Sequence, residues 1–320
     1  ARSMVQLRRQ NEAVDEYRSA VCLRPDDADV RIERGRYFQS LERHNEALAD
    51  FVVAIKLNPE DAETRLSAAI SLVAMQRYKE ATQYLDEMLH LKPKSAEAFL
   101  LRARCRRLLN QLDQSLQDAN IAVQLAPAES APLFERALIR FERHDFAEAL
   151  KDFAPLVSRK FEDPLLFWYT GRAREETGQL AGAIDDFARL LALKDAHVEG
   201  HSHRANLLMR LTRFNEAVAE FRKLQRLQPR NPSVWYGSGE AWAGLNRVEL
   251  AVKDLTTAVS LDRNFALAHY KLGLAKERRG DLAGAYASLE RAVALRPNDG
   301  VWIEKRNEIA QRLSRLPDGR

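Results

Sequence analysis

The stretch HVEGHSHR at 197–204 holds three of the seven histidines in a chain of 320 residues. His197 and His201 stand four apart, so on a helix both imidazoles share one face, the spacing with which a zinc site begins. The two cysteines, Cys22 and Cys105, lie far from each other and match no metal or redox spacing. They read as small apolar fillers of helices. No H-E-x-x-H, no paired carboxylates and no phosphate-cradling glycine loop appears elsewhere. The glycine pairs in GQLAG (178–182) and GDLAG (280–284) read as turns between helices. These residues point to no enzyme and no cofactor, and whether the histidines gather depends on the elements that carry them.

Those elements are helical. Hydrophobic residues make up 46% of the chain and charged ones 30%, with glycine scarce, the composition of a helix-rich soluble protein with ample core material. Basic side chains number 50 against 46 acidic, a net charge of +4 spread along the whole length. No compact basic block with interleaved aromatics occurs, which argues against nucleic acid. No apolar run approaches the ~18 residues a membrane helix needs, and no signal peptide opens the chain. The expected setting is cytoplasmic, without membrane insertion. The first residue is Ala rather than Met, so the chain reads as part of a longer protein.

A period of 34 organises the sequence. Pro25, Pro59, Pro93 and Pro127 are spaced by it, and the same step reaches Pro229 and Pro297. Twelve residues before each proline position stand Ala13, Ala47, Ala81, Ser115, Ala149, Ala183, Ala217, Ala251 and Ala285. Eight before it stand apolar residues such as Phe51, Leu85, Phe153, Phe187, Phe221, Leu255 and Leu289. If slots are numbered from Ala28, slots 2 to about 14 form a first helix with a small residue in slot 8: Gly35, Ala69, Ala103, Ala137, Gly171, Ala205, Gly239 or Gly273. A small side chain there admits a second helix at close range. That second helix carries one apolar stripe, in the first copy Ala47, Leu48, Phe51, Ala54 and Ile55, and the proline of slot 32 is expected to stop it. Phe161, Asp195 and Arg263 take the proline slot in three copies. Pro155, inside a second helix, is expected to kink or end it.

The pattern resembles the tetratricopeptide repeat family, whose signature is W-x2-L-G-x2-Y, A-x3-F, then P. WYGSGEAW at 235–242 follows the first half and ALADFVVAIKLNP at 47–59 the second. The resemblance covers residues 1–299: a partial repeat at 1–27, with Ala1 in slot 8, then eight full repeats over 28–299. Residues 300–320 read as a capping helix and tail in which Trp302, Ile309, Leu313 and Leu316 face the last repeat. The fold implied is an all-α right-handed solenoid of helix pairs.

In this register His197 falls in slot 34, the turn before a helix, while His201 takes slot 4 and His203 slot 6, on another side of the helix. The three do not converge, so packed or solvated histidines are expected rather than a metal site. Slots 7 and 23 are matched within the chain: Arg34 with Asp50, Arg102 with Asp118, Arg136 with Asp152 and Arg204 with Glu220. Thr170 and Ser238 face Asp186 and Asp254, and where slot 7 is apolar the acid is gone. This reads as a structural interhelical ion pair.

The family places its ligands on a concave surface lined by the first helices, mainly through slots 2, 5, 9, 12 and 13. The resemblance thus implies a peptide-binding groove that includes Arg36, Arg104, Arg107, Phe134, Trp168, Arg172, Asn206, Tyr236 and Tyr270. Of the carboxylate clamp that grips chaperone tails only Asn206 has a counterpart, and the asparagine ladder of the sugar-nucleotide transferases is absent. Trp168 beside Arg172 has the composition of an interface anchor; facing the groove, its truncation would remove binding energy and spare the fold. The function implied is a protein-interaction scaffold for a protein or peptide partner carrying acidic residues around an apolar anchor. Two other classes stay open: the targeting or regulatory array of a larger enzyme of kinase or glycosyltransferase type, and a self-associating structural module.

Overall fold

The computed structural model describes residues 2–159 and 163–315, with side chains from Glu12 onward. These residues form eighteen helices and no strand. The chain divides into two compact units, Ala1–Glu162 and Asp163–Arg320, and the division follows the copy that contains Pro155. The first unit holds α1 (Arg2–Leu23), α2 (Ala28–Ser40), α3 (His44–Leu57), α4 (Ala62–Ala74), α5 (Tyr78–Leu91), α6 (Ala96–Leu108), α7 (Leu112–Leu125), α8 (Ser130–Glu142) and α9 (Phe146–Ser158). The second holds α10 (Pro164–Glu176), α11 (Leu180–Leu193), α12 (Val198–Arg210), α13 (Phe214–Leu227), α14 (Pro232–Gly244), α15 (Val248–Leu261), α16 (Ala266–Arg279), α17 (Leu282–Leu295) and α18 (Gly300–Ser314).

Helices of 13 or 14 residues are marginal alone, so packing must hold them. Each even-numbered helix from α2 to α16 packs on its successor, and within a unit that successor packs on the first helix of the next pair. The small slots permit this. Ala47, Ala81, Ala149, Ala183, Ala217, Ala251 and Ala285 are completely buried. In the copy with serine, the Ser115 hydroxyl donates to the Ala103 carbonyl at 2.7 Å. A Cβ on Gly35 would lie 2.6 Å from the Phe51 ring, and one on Gly239 equally close to Leu255, so the second helix presses against backbone there.

The turn between paired helices has one conformation throughout. Slot 15 has a positive φ in every full copy: Glu42, Gln76, Asn110, His144, Gly178, Thr212, Asn246 and Gly280. Its N–H returns to the slot 12 carbonyl (Glu42 to Gln39, 2.9 Å) and the slot 16 N–H to slot 11 (Arg43 to Phe38, 2.9 Å), which satisfies carbonyls a helix end otherwise leaves open. In GQLAG and GDLAG only Gly178–Gln179 and Gly280–Asp281 belong to the turn; Leu180 and Leu282 already begin helices.

Three expectations change. The second helices end at slot 30 whether or not proline follows: Leu193 and Leu261 are terminal although slot 32 holds Asp195 and Arg263. The chain leaves the helix at slot 31, with φ near −130° at Asn58 and Lys194, so proline suits a stop already made one residue earlier. Pro155 does not end α9, which continues through it to Ser158, one residue short of its counterparts. Phe161 lies outside the described residues. Finally, the chain over 2–23 is one helix, where the repeat frame places a turn near Arg8 and Arg9. Cys22 is exposed and Cys105 buried, so only Cys105 is a filler; burial pushes its thiol up to about 11. At the other end α18 buries Trp302 and Ile309 beneath a polar outer face; Ala1 and Leu316 lie outside the described residues.

The matched slots meet as ion pairs. Arg34 and Asp50 are joined at 2.6 Å, Arg102 and Asp118 at 2.7 Å, Arg136 and Asp152 at 2.7 Å. Arg204 also reaches Glu220, and Ser238 donates to Asp254 at 2.6 Å. Slot 11 supplies a second clasp: Arg106 on Asp118 and Arg140 on Asp152, each at 2.7–2.8 Å. Asp186 relies on this one, pairing with Arg174 at 2.7 Å, while Thr170 donates to the Leu166 carbonyl. Burial pushes the Asp186 carboxyl up, against the pull of Arg174.

Candidate interaction surface

In the first unit, Arg36 projects from α2, exposed and without a partner among the described residues. Arg104 and Arg107, one turn apart on α6, both reach Glu135 on α8, at 3.3 and 2.7 Å. Arg107 also reaches Glu142 at 2.7 Å. Glu135 is 2% exposed, and leaving a carboxylate so buried without its partner is costly. Arg107 is therefore tied to the fold, whereas Arg104 keeps 45% of its side chain exposed. Phe134 is half-buried, its ring 6.0 Å from Phe153.

In the second unit the histidine stretch resolves into separate roles. His197 is the N-cap of α12, its Nδ1 accepting the Gly200 N–H at 3.0 Å. Slot 34 does the same with Asp27, Asp61, Ser95, Asp163, Asn231 and Asp299, so it is the cap position of the repeat. His203 stacks on Phe187 at 5.5 Å and meets Glu175 through Nδ1 at 2.8 Å. Contrary to the expected divergence of all three, the rings of His197 and His203 both lie against Trp168, at 5.2 and 5.4 Å. Arg172 covers that indole at 5.4 Å. Trp168 is half-buried and packed on the core, so removing it disturbs the fold and cannot isolate a binding contribution.

His201 points elsewhere and is 3% exposed. Nδ1 meets Glu220 at 2.5 Å and Nε2 the Asp195 carbonyl at 2.8 Å. Both neighbours are acceptors, so only the imidazolium satisfies both. Burial opposes that charge, but Glu220 and the Asp195 carbonyl outweigh it and raise the His201 pKa. The sign follows. A pKa higher in the folded state contributes stability fully present below the ordinary histidine value of about 6.5 and lost as pH rises through the folded value. Wild-type protein should lose more stability than His201→Gln between pH 6 and pH 9 in urea melts; parallel losses would show that His201 is neutral in the fold. Among the described residues no three His, Cys, Asp or Glu side chains gather as a metal site.

Further along the first-helix face of this unit lies a cavity of about 330 Å³. Met209, Phe214, Leu255, Leu274 and Ala275 give it apolar walls, and Glu240, Lys271 and Arg278 stand around it. Its cause is readable in the sequence. Slots 12 and 13 hold Ala243 and Gly244, the smallest such pair in the chain, where the neighbouring repeats have Met209–Arg210 and Glu277–Arg278. A Cβ on Gly244 would come 2.7 Å from Phe214, so glycine is what lets that ring form a wall. Tyr236 lies one turn away on α14; its hydroxyl donates to Glu240 at 3.0 Å and its ring is 5.1 Å from Phe265. Burial and that carboxylate push its phenol up. Tyr270 instead stacks on Trp302 at 4.9 Å, sealing the last repeat to α18. Asn206 is exposed on α12. None of the cavity's lining residues belongs to the groove named from the sequence, where Leu255 stands only as a core position.

Paired helices with a fixed turn, small contact slots and a 34-residue step agree with what comparison finds: the sequence pattern of the tetratricopeptide repeat matches residues 38–105, 134–197, 204–264 and 244–300. The chain belongs to the tetratricopeptide repeat family. Solved tetratricopeptide repeat proteins share the fold at low identity. The C-terminal part of one from Cytophaga hutchinsonii has a TM-score of 0.60 at 17% identity, covering 74% of this chain and 97% of that one. One from Parabacteroides merdae has a TM-score of 0.53 at 17% identity, covering 78% and 98%. A curated relative, the Hsp70-Hsp90 organizing protein of Triticum aestivum, is 31% identical over 99 residues. That match spans 31% of this chain and 17% of the relative. No described helix is long and apolar enough to cross a membrane.

Proposed function

We propose that this tetratricopeptide repeat protein is an interaction scaffold that takes a peptide segment of a partner protein on the first-helix face of its second unit. The observation that carries the reading is the cavity in which Met209, Glu240, Ala243, Gly244, Leu274 and Arg278 of α12, α14 and α16 stand in slots where the family places its ligands, with Phe214 and Leu255 of the second helices closing it. Its volume, at the lower end for ligand sites, suits one or two side chains of a segment rather than a large cofactor. A relative named for organizing two chaperones supports the broad class of role, assembly of other proteins. Arg36, Arg104, Arg172 and Asn206 occupy equivalent slots and remain proposed contacts, each within its own unit; Arg107, tied to Glu135, is not among them.

The test fills the cavity. Ala243→Phe places a ring between Met209 and Leu274 at a partly exposed position. Against a display library of natural protein fragments, captured fragments should bind this variant at least about tenfold more weakly than wild type, the loss of one anchor contact. If every captured fragment binds both proteins equally, the cavity is not the site.

A further inference from the structure

We infer that the segment seated in this cavity carries an apolar side chain flanked by a carboxylate, which Arg278 receives. The inference rests on the cavity as the binding site and adds the chemistry of the occupant.

Around the cavity one charge is left without a partner among the described residues. Glu240, the acid in its lining, is neutralised within the fold: Lys271 meets it at 2.9 Å and the Tyr236 hydroxyl donates to it. Glu277, adjacent in sequence to Arg278, is held by Lys305 at 3.0 Å and by Arg312 from α18. Arg279, the next basic residue, is bound to Asp281 at 2.8 Å. Arg278 alone of the lining charges is exposed with no hydrogen-bond or ion-pair partner among the described residues. The local acids are thus satisfied and one guanidinium is left over beside an apolar hollow. Arg210, at the same slot one helix pair before Gly244, is likewise exposed and unpartnered. The excess is wider than the rim: residues 163–320 carry 25 basic and 20 acidic side chains, residues 1–162 carry 25 and 26. A planar guanidinium with open donors matches a carboxylate in two parallel hydrogen bonds. The apolar walls exclude a wholly charged occupant, because nothing in them would pair with buried charge.

The experiment selects short random displayed peptides against the full chain and measures synthetic versions of those enriched by fluorescence anisotropy. We expect peptides with a large apolar residue next to Asp or Glu, losing affinity with Ala243→Phe. Arg278→Glu should weaken them about tenfold, as loss of one charged hydrogen-bonded contact does, while Arg278→Lys should restore part of it. Arg278 is exposed, so neither change threatens the fold. Enriched peptides that depend on Ala243 yet lack acidic residues, or bind Arg278→Glu as well as wild type, would overturn this inference and leave the cavity as the site. A selection that is empty, or indifferent to Ala243→Phe, would overturn both readings.

Discussion

Arg107→Ala is expected to destabilise the first unit by about 3 kcal/mol, the lower end for removing one member of a buried ion pair. Arg107 keeps only 14% of its side chain exposed, and its partner Glu135 is essentially inaccessible. Without Arg107, Glu135 keeps Arg104 alone, at 3.3 Å and from a mostly solvated side chain. The penalty is that of a buried carboxylate left under-paired, which distinguishes it from a lost surface bridge of about 0–1 kcal/mol. Glu135→Gln added to Arg107→Ala should therefore recover part of the loss, since the amide needs no counter-charge. Urea denaturation of the single and double variants, with hydrogen exchange on α6 and α8, measures this coupling. A single variant within about 0.5 kcal/mol of wild type would mean that Glu135 needs no partner.

Phe187→Ala is expected to cost about 3–5 kcal/mol in the second unit, the range for emptying a core phenylalanine site. The ring is completely buried and fills the space that Gly171 leaves open, a Cβ there coming 2.9 Å from it. Trp168 and His203 rest on it, at 5.9 and 5.5 Å, so its loss also releases the indole on the first-helix face. Leu85, Leu255 and Leu289 occupy the same slot in other repeats, and Phe187→Leu should cost only about 1 kcal/mol. Thermal and urea unfolding of the two variants tests this. Equal losses for leucine and alanine would show that the slot does not carry the packing assigned to it.

The cavity lies where the repeat register places ligand contacts, yet none of the residues first chosen from those slots lines it. Selection by side-chain type favoured aromatics and arginines. Trp168 is covered by two histidines and an arginine, Tyr270 by Trp302, and Arg107 is tied to Glu135 and Glu142. The better signal was a lack of side chain, the Ala243–Gly244 pair, which marks a hollow because larger groups flank it in the repeats on either side.

The sequence by itself determined the helix pairs, their register and the slots that touch. A strict 34-residue step repeats the same local contacts eight times, so each copy tests the reading of the others, and matched types at slots 7 and 23 report contacts sixteen residues apart. It could not settle which charged and aromatic residues are left unpartnered, because that depends on neighbours twenty to thirty-five residues away whose side chains reach across adjacent helix pairs. Arg107 meets Glu135 and Glu142, Arg104 the same Glu135, and Arg312 of α18 meets Glu277 of α16. Two arginines in the neighbouring slots 12 and 13 look alike as groove candidates in a repeat alignment. Only the packed structure separates Arg107, whose fork closes on a buried carboxylate, from Arg278, whose neighbouring acids have already been taken by Lys271, Lys305 and Arg312.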